Sequence, residues 1–310
     1  MSHGLETDID LDPLFAALDL KAKSLLVTVW GDCVAPHGGT VWLKSLIDLV
    51  EPLGLNERVV RTAVFRLQRE ELLSSEQAGR RSFYSLTRTG RHRFAEATRR
   101  IYASGDIPWN GKWLLLFLAR RDLDDKVQRA LHNELGWLGF GAFGGGIYAH
   151  PGQSRETLEA LLSDHKVTKC ATILETADAA PRLYDNPAIL VRKGWNLDDL
   201  EADYARFIGH FGRFGGADRP AAQLDEKKCF IIRSLLVHDY RRVLLRDPML
   251  PAELLPGKWN GSEARALCRD IYQQVWQGAE RHLMSVLEHA GGRLPPASEE
   301  FMARFGGLER

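Results

Sequence analysis

Residues 56–71, NERVVRTAVFRLQREE, predict a helix with two chemically opposite faces. At about 100° per residue around the helix axis, the apolar side chains share one arc, and they are Val59, Val60, Ala63, Val64 and Leu67. The other arc holds Arg58, Arg61, Thr62, Phe65, Arg66 and Arg69. Asn56 is a favourable N-cap because its side-chain oxygen can accept from the first free backbone N–H groups. The helix is therefore expected to bury one face in a core and to present the other to an anion.

The basic arc of this helix predicts contact with DNA. Arginine can clamp phosphate and can read guanine O6 and N7 with two hydrogen bonds, which suits a helix in the major groove. A charged helix face is more often simply solvated, and this alternative stays open for the helix on its own. A solvated face, however, usually mixes opposite charges as i,i+4 pairs. Here the acidic residues Glu57, Glu70 and Glu71 lie at the ends, and the middle of the arc is purely basic.

A β-hairpin is predicted directly after the helix. Polar residues and a glycine at 76–79 interrupt two short extended runs, the second of which is 82–86, SFYSL. Arg80 and Arg81 stand between the two runs, where a hairpin tip would bring them to the DNA backbone or the minor groove. A further basic helix is expected over residues 88–102.

The order of elements predicts a winged helix-turn-helix over residues 20–103. Helical patterns at 21–33 and 41–50 precede the basic helix, and the hairpin and the last helix follow it. In a winged helix-turn-helix the second helix supports the third, which enters the major groove, and the hairpin forms the wing. The residues expected to contact DNA are Arg58, Arg61, Thr62, Arg66, Arg69, Arg80 and Arg81.

A ferredoxin-like middle domain is predicted over residues 107–177, after a linker at 104–108. The apolar runs 113–119, WLLLFLA, and 170–174, CATIL, have the length and composition of buried strands. Between them the sequence predicts two helices that flank a glycine-rich hairpin, at 124–135, 140–150 and 154–163. The resulting order β-α-β-β-α-β is that of ferredoxin-like folds.

A helical C-terminal domain is predicted over residues 181–290, because apolar residues recur at helical spacing through most of this segment. The fold class is therefore α+β and multidomain. Residues 1–19 and 291–310 are expected to be loose termini.

The C-terminal segment contains one notable polar cluster, His238-Asp239-Tyr240-Arg241-Arg242. Three interpretations stay open: ion pairs between helices, an acid–base pair of histidine and aspartate, and an anion site with an arginine as clamp. An aromatic stripe that includes Trp195 and Tyr204 is typical of a core, or of a cavity for an aromatic or acyl group. The candidate ligand-binding residues are His238, Arg241, Arg242, Trp195 and Tyr204.

The charge of the chain is zero in total but uneven along its length. Residues 1–55 have three Lys and Arg against eight Asp and Glu, whereas residues 56–100 have eleven Arg against five Glu. Such asymmetry favours a nucleic-acid partner. The four cysteines lie far apart, which predicts neither a zinc site nor a disulfide framework and fits a cytoplasmic protein. The N-terminal sequence is not that of a signal peptide, and no apolar run approaches the length of a membrane span.

Enzymatic activity is the alternative class of function. Residues 139–144 match the pattern GxGxxG, but they follow a predicted helix and precede a strand, so a dinucleotide site is not expected. A nuclease built on the middle domain would need an acidic residue at the end of its first strand to hold a metal ion. Arg120 and Arg121 precede Asp122 there and spoil such a site. A metal-dependent nuclease and an acyl-CoA-handling enzyme remain the alternatives, and neither a metal nor a cofactor is expected.

Several stretches resemble the PaaX-type transcriptional repressors of phenylacetic acid catabolism. The resemblance spans about residues 20–290 and is carried by 56–67, NERVVRTAVFRL, by 79–87, GRRSFYSLT, and by 109–113, WNGKW. The most specific stretch is 235–242, LLVHDYRR, which is followed by the pattern DPxLPxxLLPxxWxG over 247–261.

The resemblance implies a homodimeric repressor that binds double-stranded operator DNA through its N-terminal winged helix. It implies a middle domain similar to the small ferredoxin-like CRISPR-adaptation nucleases and a helical C-terminal domain. It also implies an effector, phenylacetyl-CoA or a related aromatic acyl-CoA, whose binding releases the operator. The family pattern assigns no ligand residues in this sequence.

Overall fold

The computed structural model describes residues 9–103, 105, 109–176, 187–215 and 224–308 of the chain. Contacts group the chain into two compact units. Unit 1 combines Met1–Ser104, Tyr204–Leu245 and Gly261–Arg310, and unit 2 combines Gly105–Asp203 and Arg246–Asn260. The domain boundaries 20–103, 107–177 and 181–290 stay a prediction, and each unit is described by itself below.

The N-terminal part of unit 1 consists of five helices and a three-stranded antiparallel sheet of order β1-β3-β2. The helices are α1 (Asp12–Ala17), α2 (Ala22–Val29), α3 (Leu43–Val50), α4 (Glu57–Arg69) and α5 (Arg88–Ile101). The strands are β1 (Thr40–Trp42), β2 (Leu73–Ala78) and β3 (Arg81–Leu86). A π-helical turn, Trp30–Val34, follows α2.

Strand β1 replaces the start of a predicted helix. The helical pattern at 41–50 predicted that Val41 and Trp42 begin the helix, but they pair with Tyr84 and Phe83 of β3. The prediction was wrong for these two residues because a strand of only three residues has no period of its own to oppose the helical pattern that follows it. Strand β1 adds a third strand to the predicted hairpin.

Helix α4 has the predicted apolar face. Val60, Ala63, Val64 and Leu67 are buried, and α2 packs against this helix. Val59 is half-buried and marks the edge of the face. Full burial of a valine or leucine side chain contributes about 1.5–3 kcal/mol, so this face is enough to fix the orientation of α4 on its core.

Unit 2 contains the predicted β-α-β-β-α-β order. Its strands form one antiparallel sheet of order β5-β6-β4-β7, and its core is apolar. The strands are β4 (Leu114–Leu118), β5 (Gly141–Gly144), β6 (Ile147–His150) and β7 (Ala171–Glu175), and the helices are α6 (Asp125–Trp137), α7 (Arg155–Asp164) and α8 (Pro187–Gly194). The GxGxxG pattern of residues 139–144 lies largely in strand β5, so it is part of a hairpin and does not open a helix.

The rest of the C-terminal segment is mainly helical, as expected. Helices α9 (Leu197–Phe211), α10 (Glu226–Leu244) and α11 (Asn260–Val286) precede a two-residue hairpin pair, β8 (Glu288–His289) and β9 (Gly292–Arg293), and the short helix α12 (Glu299–Met302). Helix α10 packs against α2 and α5 within unit 1.

The expectation of loose termini was wrong for the described residues. In the C-terminal segment, Phe301 and Arg304 are almost fully buried, and Leu308 is also buried. Near the N-terminus, Leu14 of α1 is buried as well. The order of the C-terminal segment comes from contacts with residues distant in sequence, which leave no periodic pattern in the segment itself. For example, the Arg304 guanidinium donates to the Asp32 carboxylate over 2.8 Å.

A buried charge network holds this segment in place. Arg233 Nε donates to Asp32 Oδ2 over 2.7 Å, and the hydroxyls of Tyr102 and Tyr272 donate to Asp32 Oδ1 over 2.6 and 3.0 Å. Burial alone would raise the pKa of Asp32, but the guanidinium groups of Arg233 and Arg304 hold it below its usual range. The charged state of Asp32 is therefore the stable one in the folded protein.

Candidate nucleic-acid interface

Helix α4 presents its basic face to solvent. Asn56 caps the helix because its side chain accepts from the Val59 backbone N–H over 3.1 Å, as predicted. The side chains of the polar arc are all exposed, and they are Arg58, Arg61, Thr62, Phe65, Arg66 and Arg69. The buried apolar face fixes the direction in which these side chains point, so the helix offers a rigid surface to an anion.

The arginines of this face differ in their partners. Arg61 is paired with Glu57 one turn earlier, with 2.7 Å between Nη2 and Oε1. Within the described residues, Arg58, Arg66 and Arg69 have no ion-pair partner. Thr62 donates its hydroxyl to the Arg58 carbonyl over 2.9 Å, which leaves the lone pairs of the oxygen free to accept. The three unpaired arginines are the side chains most ready to bind phosphate or guanine.

The hairpin tip separates the two wing arginines. Gly79 has a φ of +60°, which favours glycine at the turn, and Arg80 beside it is exposed. Arg81 is already in strand β3, where Nη1 donates to Glu288 over 2.8 Å and the guanidinium stacks 4.3 Å from the Trp42 ring centroid. Arg80 is therefore free for a ligand, whereas Arg81 also holds strand β1 and the β8 segment.

A basic groove runs between the start of α2 and helix α4. Its volume is about 780 Å³, and four cationic side chains line it: Lys21, Lys23, Arg58 and Arg66. Lys23 also pairs with Glu70 at the end of α4. The sequence reasoning missed the two lysines, because they lie at the start of an apolar helix and only the packing of α2 on α4 brings them beside the arginines. A groove lined by four cations suits a phosphate backbone.

Phe65 is the second feature that the sequence reasoning left out of the site. Its side chain is 59% exposed in the middle of the basic face. An exposed phenylalanine between arginines has no packing role on that side of the helix, and an apolar side chain can contact the methyl group of thymine in the major groove. The place of this apolar residue on the polar arc of the helix was the sequence signal that could have identified it as a DNA contact.

The candidate ligand residues of the C-terminal segment lie in different places. His238 is buried, and its Nδ1 lies 3.0 Å from the Thr28 hydroxyl. Burial, together with the cations Arg241 and Arg242, lowers the pKa of His238 to about 3, so the imidazole is neutral. Arg242 is exposed and lies near Asp19. Arg241 donates to the carbonyl and the hydroxyl of Ser24, each over 3.2 Å, and it lines a cavity in unit 1.

The two aromatic candidates are core side chains. Trp195 in unit 2 donates its indole N–H to the Gly139 carbonyl over 2.8 Å and packs near Phe143 and Trp113. Tyr204 of α9 is almost fully buried. Neither residue lines the cavity that contains Arg241.

In the described ranges, the acidic residue that a nuclease would need does not lie in a pocket of carboxylates. Asp122 lies in an exposed turn that follows β4, next to Arg120 and Arg121. Within those ranges, no group of three or more His, Cys, Asp and Glu side chains comes together as a metal site. No helix in the described part of the chain is long and apolar enough to cross a membrane.

Three family models match consecutive segments of the chain. The PaaX-like protein model matches residues 21–90, the PaaX protein central Cas2-like domain matches residues 106–187, and the PaaX-like protein C-terminal domain matches residues 195–285. The molecule is therefore an α+β protein with a Cas2-like central domain and a helical C-terminal segment.

One protein of known role is similar over almost the whole chain. The transcriptional repressor PaaX of Escherichia coli (strain K12) is 38% identical over 295 residues, which are 94% of this chain and 92% of that protein. The chain belongs to the PaaX family. In fold it is similar to a solved structure, the uncharacterized protein Rv0674 from Mycobacterium tuberculosis, with a TM-score of 0.57 and 24% identity over 85% of this chain and 98% of that one.

Proposed function

We propose that this protein is a transcriptional repressor whose N-terminal winged helix-turn-helix binds operator DNA. The observation that carries the proposal is helix α4, which buries an apolar face and exposes arginines on the other. Helix α3 and the Glu51–Leu53 turn lead directly into α4, and the β2–β3 hairpin follows it, as in a winged helix-turn-helix. The similarity to a transcriptional repressor supports the same role.

Helix α4 is the recognition helix in this proposal. Arg58, Arg66 and Arg69 are free to read bases or to clamp phosphates, while Arg61 must exchange Glu57 for DNA. The α2–α4 groove receives the phosphate backbone beside the helix, and Arg80 contacts the backbone or the minor groove from the hairpin tip.

The repressor acts as a homodimer on a palindromic site. A single winged helix makes too few contacts for the affinity of a typical specific complex, and two copies related by a twofold axis double them. The proposal of a homodimer rests on this need for additional DNA contacts and on the resemblance to the PaaX family.

An aromatic acyl-CoA such as phenylacetyl-CoA releases the operator, and the protein acts in the cytoplasm on an aromatic-acid catabolic operon. A ligand can release DNA only if it binds the conformation that does not fit the operator more tightly than the one that does. The protein needs neither a metal nor a cofactor for this role.

Fluorescence anisotropy with the upstream promoter DNA of this chain tests the proposal. We expect specific binding that weakens steeply with salt, and release by phenylacetyl-CoA but not by free phenylacetate. Absence of specific binding would overturn the repressor role. Metal-dependent cleavage of the DNA, or turnover of the acyl-CoA by the purified protein, would instead favour the nuclease or the acyl-CoA-handling enzyme.

A further inference from the structure

Unit 1 contains an apolar cavity of about 180 Å³ beside the DNA-binding elements. Its wall is formed by α2 and the π-helical turn, by α5 and the residue that follows it, by α10 and by Leu72 in the segment between α4 and β2. The apolar lining consists of Val27, Leu72, Phe94, Ala97, Ile101 and Val237. An apolar cavity of about 150 Å³ is large enough to take up benzene, so this one has room for a single aromatic ring.

The cavity has one cation without a counter-ion. Arg241 lines the wall, and no carboxylate pairs with it within the described residues. Its Nη2 donates to Ser24, but its buried Nε has no hydrogen-bond partner there. Asp32 also lines the cavity, but Arg233 and Arg304 already engage its carboxylate. A half-buried guanidinium in this state favours a ligand that brings an oxygen or a negative charge.

A second cation lies at the solvent side of the same cavity. Arg93 of α5 is exposed and lines the wall. The cavity therefore combines a largely apolar interior the size of a ring, one inner guanidinium and one outer cation. This combination matches an amphipathic anion, which consists of an aromatic ring, an acyl oxygen and a charged tail.

We propose that this cavity binds the aromatic acyl group of the effector, with the Arg241 guanidinium donating to the acyl oxygen and Arg93 facing the phosphorylated tail. The proposal rests on the proposed function for the identity of the ligand. Of the five ligand-binding residues expected from the sequence, only Arg241 lines this cavity.

The cavity is coupled to the DNA-binding surface by direct packing. Helix α2 contributes Val27 and Thr28 to the wall and also packs against α4. Leu72 contributes to the wall from the segment that joins α4 to the hairpin, and its backbone N–H donates to the Leu67 carbonyl over 3.0 Å. A ligand that widens the cavity therefore displaces α4 and the hairpin relative to each other, which changes the spacing of the DNA contacts.

Two pairs of variants test the cavity. Ala97→Phe places a ring inside it, and Glu96→Phe places the same ring on the exposed face of α5 as a control. Arg241→Met removes the inner donor, and Arg242→Met removes the neighbouring cation that does not line the cavity. Calorimetry with phenylacetyl-CoA measures ligand affinity in the absence of DNA, and anisotropy measures promoter affinity in the absence of ligand.

We expect Ala97→Phe and Arg241→Met to lower the affinity for phenylacetyl-CoA by about tenfold or more. The introduced ring fills the space that the ligand needs, and the loss of the guanidinium removes a contact of about 1.4 kcal/mol or more. Without ligand, the promoter affinity of Arg241→Met should stay within about threefold of wild type, whereas Ala97→Phe, whose ring occupies the cavity as the ligand would, should bind the promoter more weakly. Both control variants should bind the ligand as wild type does. Wild-type ligand affinity in both cavity variants would overturn the assignment of the cavity, as would failure of the wild-type protein to bind phenylacetyl-CoA.

Hydrogen exchange on the wild-type protein covers the case in which a variant does not fold. Phenylacetyl-CoA should slow exchange in α5 and in α10 near Val237, while coenzyme A alone should have a weaker effect. Protection confined to unit 2 would contradict the proposal. Failure of the proposed function is distinguishable, because a protein that binds the ligand in this cavity but shows no promoter affinity would refute only the repressor role.

Discussion

His238 Nδ1 lies 3.0 Å from Thr28 Oγ1, and this buried contact joins α10 to α2. The Thr28 hydroxyl also donates to the Ser24 carbonyl over 3.1 Å, so its single proton is used there. His238 must then donate from Nδ1, and its Nε2, which has no partner in the described residues, is the unprotonated nitrogen. Three helical residues thus fix the neutral tautomer of one histidine beside the cavity.

The first prediction concerns the pH dependence of stability. The pKa of His238 is about 3 in the folded protein and about 6.5 in the unfolded chain, so between these values the unfolded chain binds more protons. His238 should therefore lower the free energy of unfolding by up to about 1.4 kcal/mol for each unit of pH as the pH falls through this range. Urea denaturation of the wild-type protein and of His238→Asn measures the difference. Equal pH dependence in the two proteins would contradict the assignment.

The second prediction concerns the buried network around Asp32. Arg304→Met should lower the free energy of unfolding by about 3–5 kcal/mol, because it leaves a buried carboxylate with less compensation. Arg293→Met, at an exposed position in β9, is the control and should change it by less than about 0.5 kcal/mol. Thermal and urea unfolding measure both variants. Similar stability of the two would mean that the C-terminal segment does not support the core.

The third prediction separates the two arginines of the hairpin. Arg80→Ala should weaken promoter binding by about fivefold or more and leave stability unchanged, because Arg80 is exposed at the tip. Arg81→Ala should mainly lower the melting temperature, because Arg81 contacts Trp42 and Glu288. Anisotropy and calorimetric melting of both variants test this, and the reverse pattern would show that Arg81 is the wing contact.

The fourth prediction concerns Phe65. Phe65→Ala should reduce affinity for the promoter by about five- to thirtyfold while leaving affinity for unrelated DNA unchanged, because an apolar contact to a base edge carries sequence information. Trp137→Ala, which removes a side chain that is 65% exposed on unit 2, is the matched control. An equal loss on both DNAs would assign Phe65 a general role in folding or backbone contact instead.

The sequence predicted those features that depend on local pattern. The amphipathic period of α4, the N-cap at Asn56 and the apolar strand β4 were confirmed. Strand β7 is present as predicted, but its expected burial was wrong, because β7 lies at the edge of the sheet and none of its residues is buried. Each of these signals lies within about 15 residues, so an isolated stretch contains the whole physical cause.

The features that sequence reasoning missed depend on long-range contacts. Strand β1 exists because Thr40, Val41 and Trp42 find β3 as a partner, and the C-terminal segment is ordered because Arg304 finds Asp32. The cavity required the packing of α2, α5 and α10, and its only predicted residue is Arg241. A site that is formed by residues from several helices and strands leaves no recognisable pattern in the sequence of any one of them.

The most direct test of the central claim compares two double variants that lose the same charge. Arg58→Ala/Arg66→Ala removes two unpaired arginines from α4, and Arg121→Ala/Arg129→Ala removes two exposed arginines from unit 2. Promoter affinity should fall by about 30-fold or more in the first variant, at about 1 kcal/mol or more for each contact, and should stay near wild type in the second. Equal affinities of the two variants at the same salt concentration would contradict α4 as the recognition helix.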